Sequence, residues 1–171
     1  MTTWEAVSMD AAIFSTSPRK SMFRREPRPE PPPPRQARNI TILLVEDDPA
    51  DTGLILNVLK RHSQVAAVSA ADAPDIALIQ LESGHLQPDL ILLDIHMPRI
   101  NGFQFLERLR RIKAMATTPV VFLTTSCRVT DVMEARRGSA SFYVVKPDTY
   151  GELQERLDAV VKRAASGVWG K

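Results

Sequence analysis

The chain has one cysteine in 171 residues, which excludes an intramolecular disulfide framework and a structural zinc site built on cysteines. No uninterrupted apolar run approaches the roughly 20 residues that span a bilayer. The N-terminus has no basic start followed by an apolar stretch, so it does not read as a secretory signal. No Gly-rich phosphate loop follows the first apolar run, and a nucleotide-binding reading fails there. A strong charge of one sign is also lacking. The 22 Lys+Arg and 20 Asp+Glu leave +2, so bulk electrostatics argue for neither nucleic acid nor membrane. What is present is a 44% apolar share, enough for the core of one domain. The default expectation is a soluble, cytoplasmic, reduced protein.

Composition divides the chain. Residues 1–38 hold seven of the 13 prolines, including Pro31 to Pro34, with seven basic residues against four acidic ones. A segment so rich in Pro and Arg buries too little apolar surface to order itself, so a disordered tail is expected. Trp4, Val7, Ala11 and Phe14 share a helical face within it. The functional alternative is a docking arm. A folded domain is expected over 39–166, with a short end over 167–171.

From Asn39 two periods alternate. Ile40–Val45 is a short apolar run suited to a strand buried on both faces. Asp48 and Pro49 then supply an N-cap and a first helical residue, and Leu54, Ile55, Val58 and Leu59 follow at helical spacing. Val65–Ala70 reads as a strand. Asp72 is placed as the cap of a helix carrying Ile76, Leu78, Ile79 and Leu81, closed by Ser83-Gly84. Further strands are expected at Asp89–Asp94, Pro119–Thr124 and Phe142–Val145. Further helices are expected around Phe103–Ile112, over Thr130–Arg137 and over Glu152–Ala164. This alternation predicts an α/β fold: a doubly wound, five-stranded parallel sheet in the flavodoxin-like order 2-1-3-4-5.

In such sheets, sites form at the carboxyl ends of the strands. Those ends carry Glu46-Asp47, Asp94, Thr124 and Lys146-Pro147. Three carboxylates brought together need a cation, and hard oxygen ligands suit Mg²⁺. A metal, an ammonium and a hydroxyl at one edge would also suit phosphoryl transfer.

Ile42–Pro49, Leu90–Pro98, Pro119–Thr125 and Tyr143–Pro147, in this order and each at a strand end, resemble the receiver domain of two-component response regulators, the CheY-like fold. The resemblance covers about residues 39–164. It implies that Asp94 is the phosphoacceptor and that Glu46 and Asp47 are the acidic pair, Asp47 binding Mg²⁺ directly. It implies that His96 offers its backbone carbonyl to the metal. Thr124 and Lys146 would contact the phosphoryl group, with Thr124 and Tyr143 as switch residues and a cis bond before Pro147. The implied partner is a sensor histidine kinase, whose phosphohistidine supplies Asp94. His96 and Ser126, each two residues past a site residue, are expected to set the autodephosphorylation rate.

Other residues have plainer readings. Asp89 reads as a solvated boundary residue, and His62 and His85 as surface residues too far from His96 to share a zinc ion. Cys127 reads as a loop or helix-start thiol. Only 25 residues follow Lys146, so no DNA-binding or enzymatic output domain is expected after it. Output would then be a protein–protein event. The surface implied for it is built by the helix over 130–137, the strand over 142–145 and the helix over 152–164. A homodimer through it is expected, with Val144, Tyr150, Leu153 and Trp169 as apolar candidates. Asp48–Asp51 and Leu123–Ser126 look closest to the single-domain regulators that serve phytochrome-type histidine kinases. Two alternatives remain: a pseudo-receiver that binds protein without phosphorylation, and, more distantly, an Asp-nucleophile phosphatase. The phosphatase chemistry wants a carboxylate where His96 stands.

Overall fold

The computed structural model describes residues 38–125, 142–167 and 169. The expected tail up to residue 37, the expected helix over 130–137, Ser126 and Cys127 lie outside them.

Five parallel strands, β1 (Ile40–Val45), β2 (Val65–Ala71), β3 (Leu90–Leu93), β4 (Val120–Thr124) and β5 (Phe142–Val145), form one sheet in the order 2-1-3-4-5. The helices are α1 (Pro49–Lys60), α2 (Pro74–Glu82), α3 (Gly102–Arg111) and α4 (Tyr150–Ser166), with a short 3₁₀ turn at Lys113–Met115. The order is the expected one.

The central strands are apolar except for Thr41 and Thr124 because both faces are covered, and their two-residue period sorts the core. Ile40, Ile42 and Leu44, Leu90 and Leu92, and Val121 and Leu123 pack with Ile55, Leu59, Leu157 and Val161 of α1 and α4. The alternating residues Leu43 and Val45, Ile91 and Leu93, and Val120 and Phe122 pack with Leu81, Phe105 and Leu109 of α2 and α3.

The helix starts follow local chemistry. Asp48 accepts from the backbone N–H groups of Ala50 and Asp51, with Pro49 behind it, as expected. Asn101 and Gln104 form a reciprocal capping box at α3. Thr149 caps α4, and Gly167 closes it in the left-handed region at φ 67°.

Helix α2 departs from expectation. Its N-cap is Ala73, with no side-chain cap bond, and not Asp72. Pro74 fits the first helical position and biases the residue before it toward extended backbone, so the start is set one residue beyond Asp72. Pro74, Ala77, Leu78 and Leu81 are buried, while Ile76 and Ile79 are exposed. Apolar residues lie all round this helix, so its period does not select a face.

Asp89 does more than mark a boundary. Its carboxylate accepts from the N–H and the hydroxyl of Thr41, both at 2.9 Å, and pairs with Arg38 at 2.9 Å. It ties the start of β1 to the residue that precedes β3.

His85 is exposed, as expected, but His62 is not a free surface residue. The Gln64 N–H donates to its Nδ1 at 3.1 Å, so Nε2 carries the proton and donates to Asp158 Oδ1 at 3.1 Å. Asp158 lies on α4, so this imidazole bridges the end of α1 to that helix. His62→Phe is expected to cost about 1–2 kcal/mol, because it strands a backbone donor and a carboxylate contact. A thermal melt should then fall by about 3–8 °C.

Candidate functional site

Parallel strands bring their carboxyl ends to one edge. The register places Val45 beside Leu93 and Thr124 beside Val145. The next residues are locked by the ladder: Asp94 N–H donates to Val45 O at 2.9 Å, and Lys146 N–H to Thr124 O at 2.7 Å. Glu46 N–H donates to Ala71 O at 3.0 Å. Residues from four strands therefore converge without any long loop to position them.

The Lys146 ammonium is the hub. It lies 2.6 Å from Glu46 Oε2, 2.7 Å from Asp51 Oδ2 and 3.2 Å from Asp94 Oδ1. Glu46 and Asp94 are buried. Burial disfavours the ammonium, but hydrogen bonds to Asp51 and Glu46 and the nearby negative charge of Asp94 overcome it and hold Lys146 above its ordinary pKa. It is an ammonium at any physiological pH. Burial pushes the Glu46 carboxyl up, only partly offset by Lys146, and the Asp94 charge adds to the rise. The other Asp94 oxygen, Oδ2, accepts the His96 backbone N–H at 2.6 Å. Thr124 is fully buried, with its hydroxyl 3.4 Å from His96 Nδ1.

Carboxylate oxygens of Glu46, Asp47 and Asp94 lie within 4.8 Å of one another. At an effective dielectric of about 20, two carboxylates about 5 Å apart repel by roughly 3 kcal/mol. Lys146 offsets part of this for Glu46 and Asp94. The donor set is all oxygen, which fits a hard divalent cation such as Mg²⁺ and not zinc.

The structure thus brings together the expected Glu46, Asp47, Asp94, Thr124 and Lys146, with the His96 backbone beside Asp94. Tyr143 is half-buried on β5 and packs against the α2–α3 core. One implied feature is corrected: the described residues contain no cis peptide bond, so the bond before Pro147 is trans. The ordinary preference of X–Pro bonds holds there, and Lys146 reaches its carboxylates from it.

Two residues were missed as site residues. In the sequence Asp51 stands only at the end of the Asp48–Asp51 stretch that resembles phytochrome-serving regulators. Its place at the third position of α1, on the strand-end side, was the available signal. The other is Gly102. A Cβ there would lie 2.4 Å from Asp94 O and 2.9 Å from Ile95 Cα, so the α3 start abuts the backbone of Asp94 itself.

The profile of the response regulator receiver domain matches residues 42–158, and the chain belongs to that family. Protein PilH of Pseudomonas aeruginosa is 30% identical over 120 residues, which cover 70% of this chain and 96% of PilH. The DNA-binding dual master transcriptional regulator RpaA of Synechocystis is 33% identical over 71% of this chain. Only 49% of RpaA is matched, so the chain spans about half of such longer relatives. Among solved structures, the Mn²⁺-bound form of response regulator Rcp1 is 28% identical at a TM-score of 0.64, covering 71% of this chain and 91% of that one. The phosphorylated cyanobacterial phytochrome response regulator RcpA has a TM-score of 0.69 at 24% identity, covering 76% of this chain and 96% of that one. The likeness to RcpA bears on the fold. No described helix is long and apolar enough to cross a membrane.

Proposed function

We propose that the chain acts as a single-domain response regulator that accepts a phosphoryl group from a histidine kinase on Asp94. The observation that carries this reading is the Asp94 carboxylate itself. It is buried at a strand end, held at one oxygen by the His96 N–H and at the other by Lys146, beside the oxygen cluster of Glu46 and Asp47.

In the transfer, an Asp94 oxygen bonds to phosphorus as the bond from phosphorus to the kinase imidazole breaks. The imidazole nitrogen keeps the electron pair. Lys146 then donates to a phosphoryl oxygen, and the Thr124 hydroxyl donates to another. Glu46, Asp47 and Asp94, with the His96 carbonyl, would hold Mg²⁺, which supplies positive charge to the phosphoryl oxygens. The full set Asp47, Asp94, Thr124 and Lys146 argues against a pseudo-receiver.

The match along almost all of PilH supports single-domain action. A phytochrome-type kinase as the donor rests on the resemblance of Asp48–Asp51 and Leu123–Ser126 to the single-domain regulators that serve such kinases. The output is a homodimer through β5 and α4. There, Phe142–Val145, Ala159, Val160 and Trp169 line a groove with Arg156 and Arg163 at its side. Trp169 stands edge-on to Phe142 at 6.0 Å, and Arg163 lies 4.4 Å over the same ring. Leu153, expected in this patch, is buried in the α1–α4 core, because α4 begins at Tyr150 and turns that position inward. Tyr150 and Trp169 keep exposed surface. Light scattering with and without beryllofluoride and Mg²⁺ tests this output. A doubling of molar mass with the phosphoryl mimic supports it, and an unchanged mass contradicts dimerisation as the response.

A further inference from the structure

We propose that Asp51 is a positioning residue that restrains Lys146 before phosphoryl transfer and so lowers the rate at which Asp94 is phosphorylated. This rests on the receiver reading and goes beyond it.

The Lys146 ammonium donates hydrogen bonds to Glu46 at 2.6 Å and to Asp51 at 2.7 Å, and Asp94 faces it as an ion pair at 3.2 Å. The contacts are unequal. Asp51 sits at 2.7 Å and Asp94 at 3.2 Å, so the helix carboxylate holds the lysine more closely than the phosphoacceptor does. Helix α1 does not need the Asp51 side chain for its own start. Its backbone N–H already donates to Asp48 Oδ1 at 2.9 Å, and the Ala50 N–H donates to the same oxygen at 2.8 Å. The carboxylate is therefore spent on Lys146.

In the transfer, charge spreads over the phosphoryl oxygens, and Lys146 is needed there. A contact present before the transfer and weakened during it stabilises the reactant over the transition state, and slows the reaction. Asp51 is also 35% exposed, against 2% for Glu46. Its hold is thus the more screened and the more readily exchanged of the two.

The experiment measures the rate of labelling by acetyl phosphate with saturating Mg²⁺, by intact mass. Asp51→Asn keeps the size of the side chain and removes its charge. It is expected to speed labelling by about threefold to tenfold. Asp51→Glu should stay within about twofold of the parent chain. In a Lys146→Gln background, Asp51→Asn should change the rate by less than about twofold, since its route of action is gone. An equal gain in that background would show that Asp51 merely repels the anionic donor, and would overturn the proposal. So would an unchanged or slower rate in the parent background. A readout independent of activity is the Lys146 ammonium resonance of ¹⁵N-lysine-labelled protein. Its protection from water exchange should fall in Asp51→Asn, and unchanged protection contradicts the restraint. A parent chain that takes no label would count against the receiver reading, whereas a labelled parent with an inert Asp51→Asn would count against this inference alone.

Discussion

Asp94→Asn is expected to abolish labelling by phosphodonors completely while leaving the protein folded. The amide oxygen is not a competent nucleophile for phosphorus. The fold should tolerate the change because it removes one of the repelling carboxylates near Glu46 and Asp47. The amide oxygen can still accept the His96 N–H that now reaches Oδ2 at 2.6 Å. Lys146 keeps Glu46 and Asp51. A melting temperature at or above that of the parent, together with no mass gain under any donor, is the expected pair of results. A labelled Asp94→Asn chain would place the acceptor elsewhere. An unfolded one would mean that the carboxylate holds the structure together, contrary to the electrostatic account.

Gly102→Ala is expected to be the most damaging small change near the site. The new methyl would sit 2.4 Å from Asp94 O, 2.9 Å from Ile95 Cα and 3.0 Å from Phe122 Cε1. The two closest atoms belong to backbone, so no side-chain rotation relieves them. Overpacking of this kind costs about 1–3 kcal/mol, and the upper half of that range is expected here. Melting should drop by about 5–12 °C, and labelling should slow because the relief comes from shifting Asp94. Gly53 supplies the contrast. A Cβ there meets nothing within 4 Å, and the residue lies inside α1. Gly53→Ala should stabilise by about 0.5–1 kcal/mol through helix propensity alone. Equal effects at the two glycines would refute the steric explanation.

The two glycines illustrate what sequence does and does not disclose. Both are single letters within or at the start of a helical pattern, and only the approach of the Asp94–Ile95 backbone to the start of α3 separates them. The strands, by contrast, were legible because Ile40–Val45, Leu90–Leu93 and Val120–Thr124 are short apolar runs ended by polar residues. Their parallel pairing then sends Glu46, Asp94, Thr124 and Lys146 to one edge with no further information needed. Asp48 was legible as a cap because Pro49 follows it. Asp72 misled because the same logic, applied beside Pro74, shifts the cap to Ala73. The partners of Asp51, Asp89 and His62 were not legible. Each depends on a contact across 48 residues or more, which neither spacing nor periodicity encodes.

We propose that this edge accepts a phosphoryl group on Asp94 with the help of a divalent cation. Intact mass after incubation with acetyl phosphate, with and without Mg²⁺, tests it most directly. A gain of one phosphoryl group that requires Mg²⁺ and is absent from Asp94→Asn is the expected result. A folded chain that gains no mass in either condition would contradict it and leave the fold as a binding module.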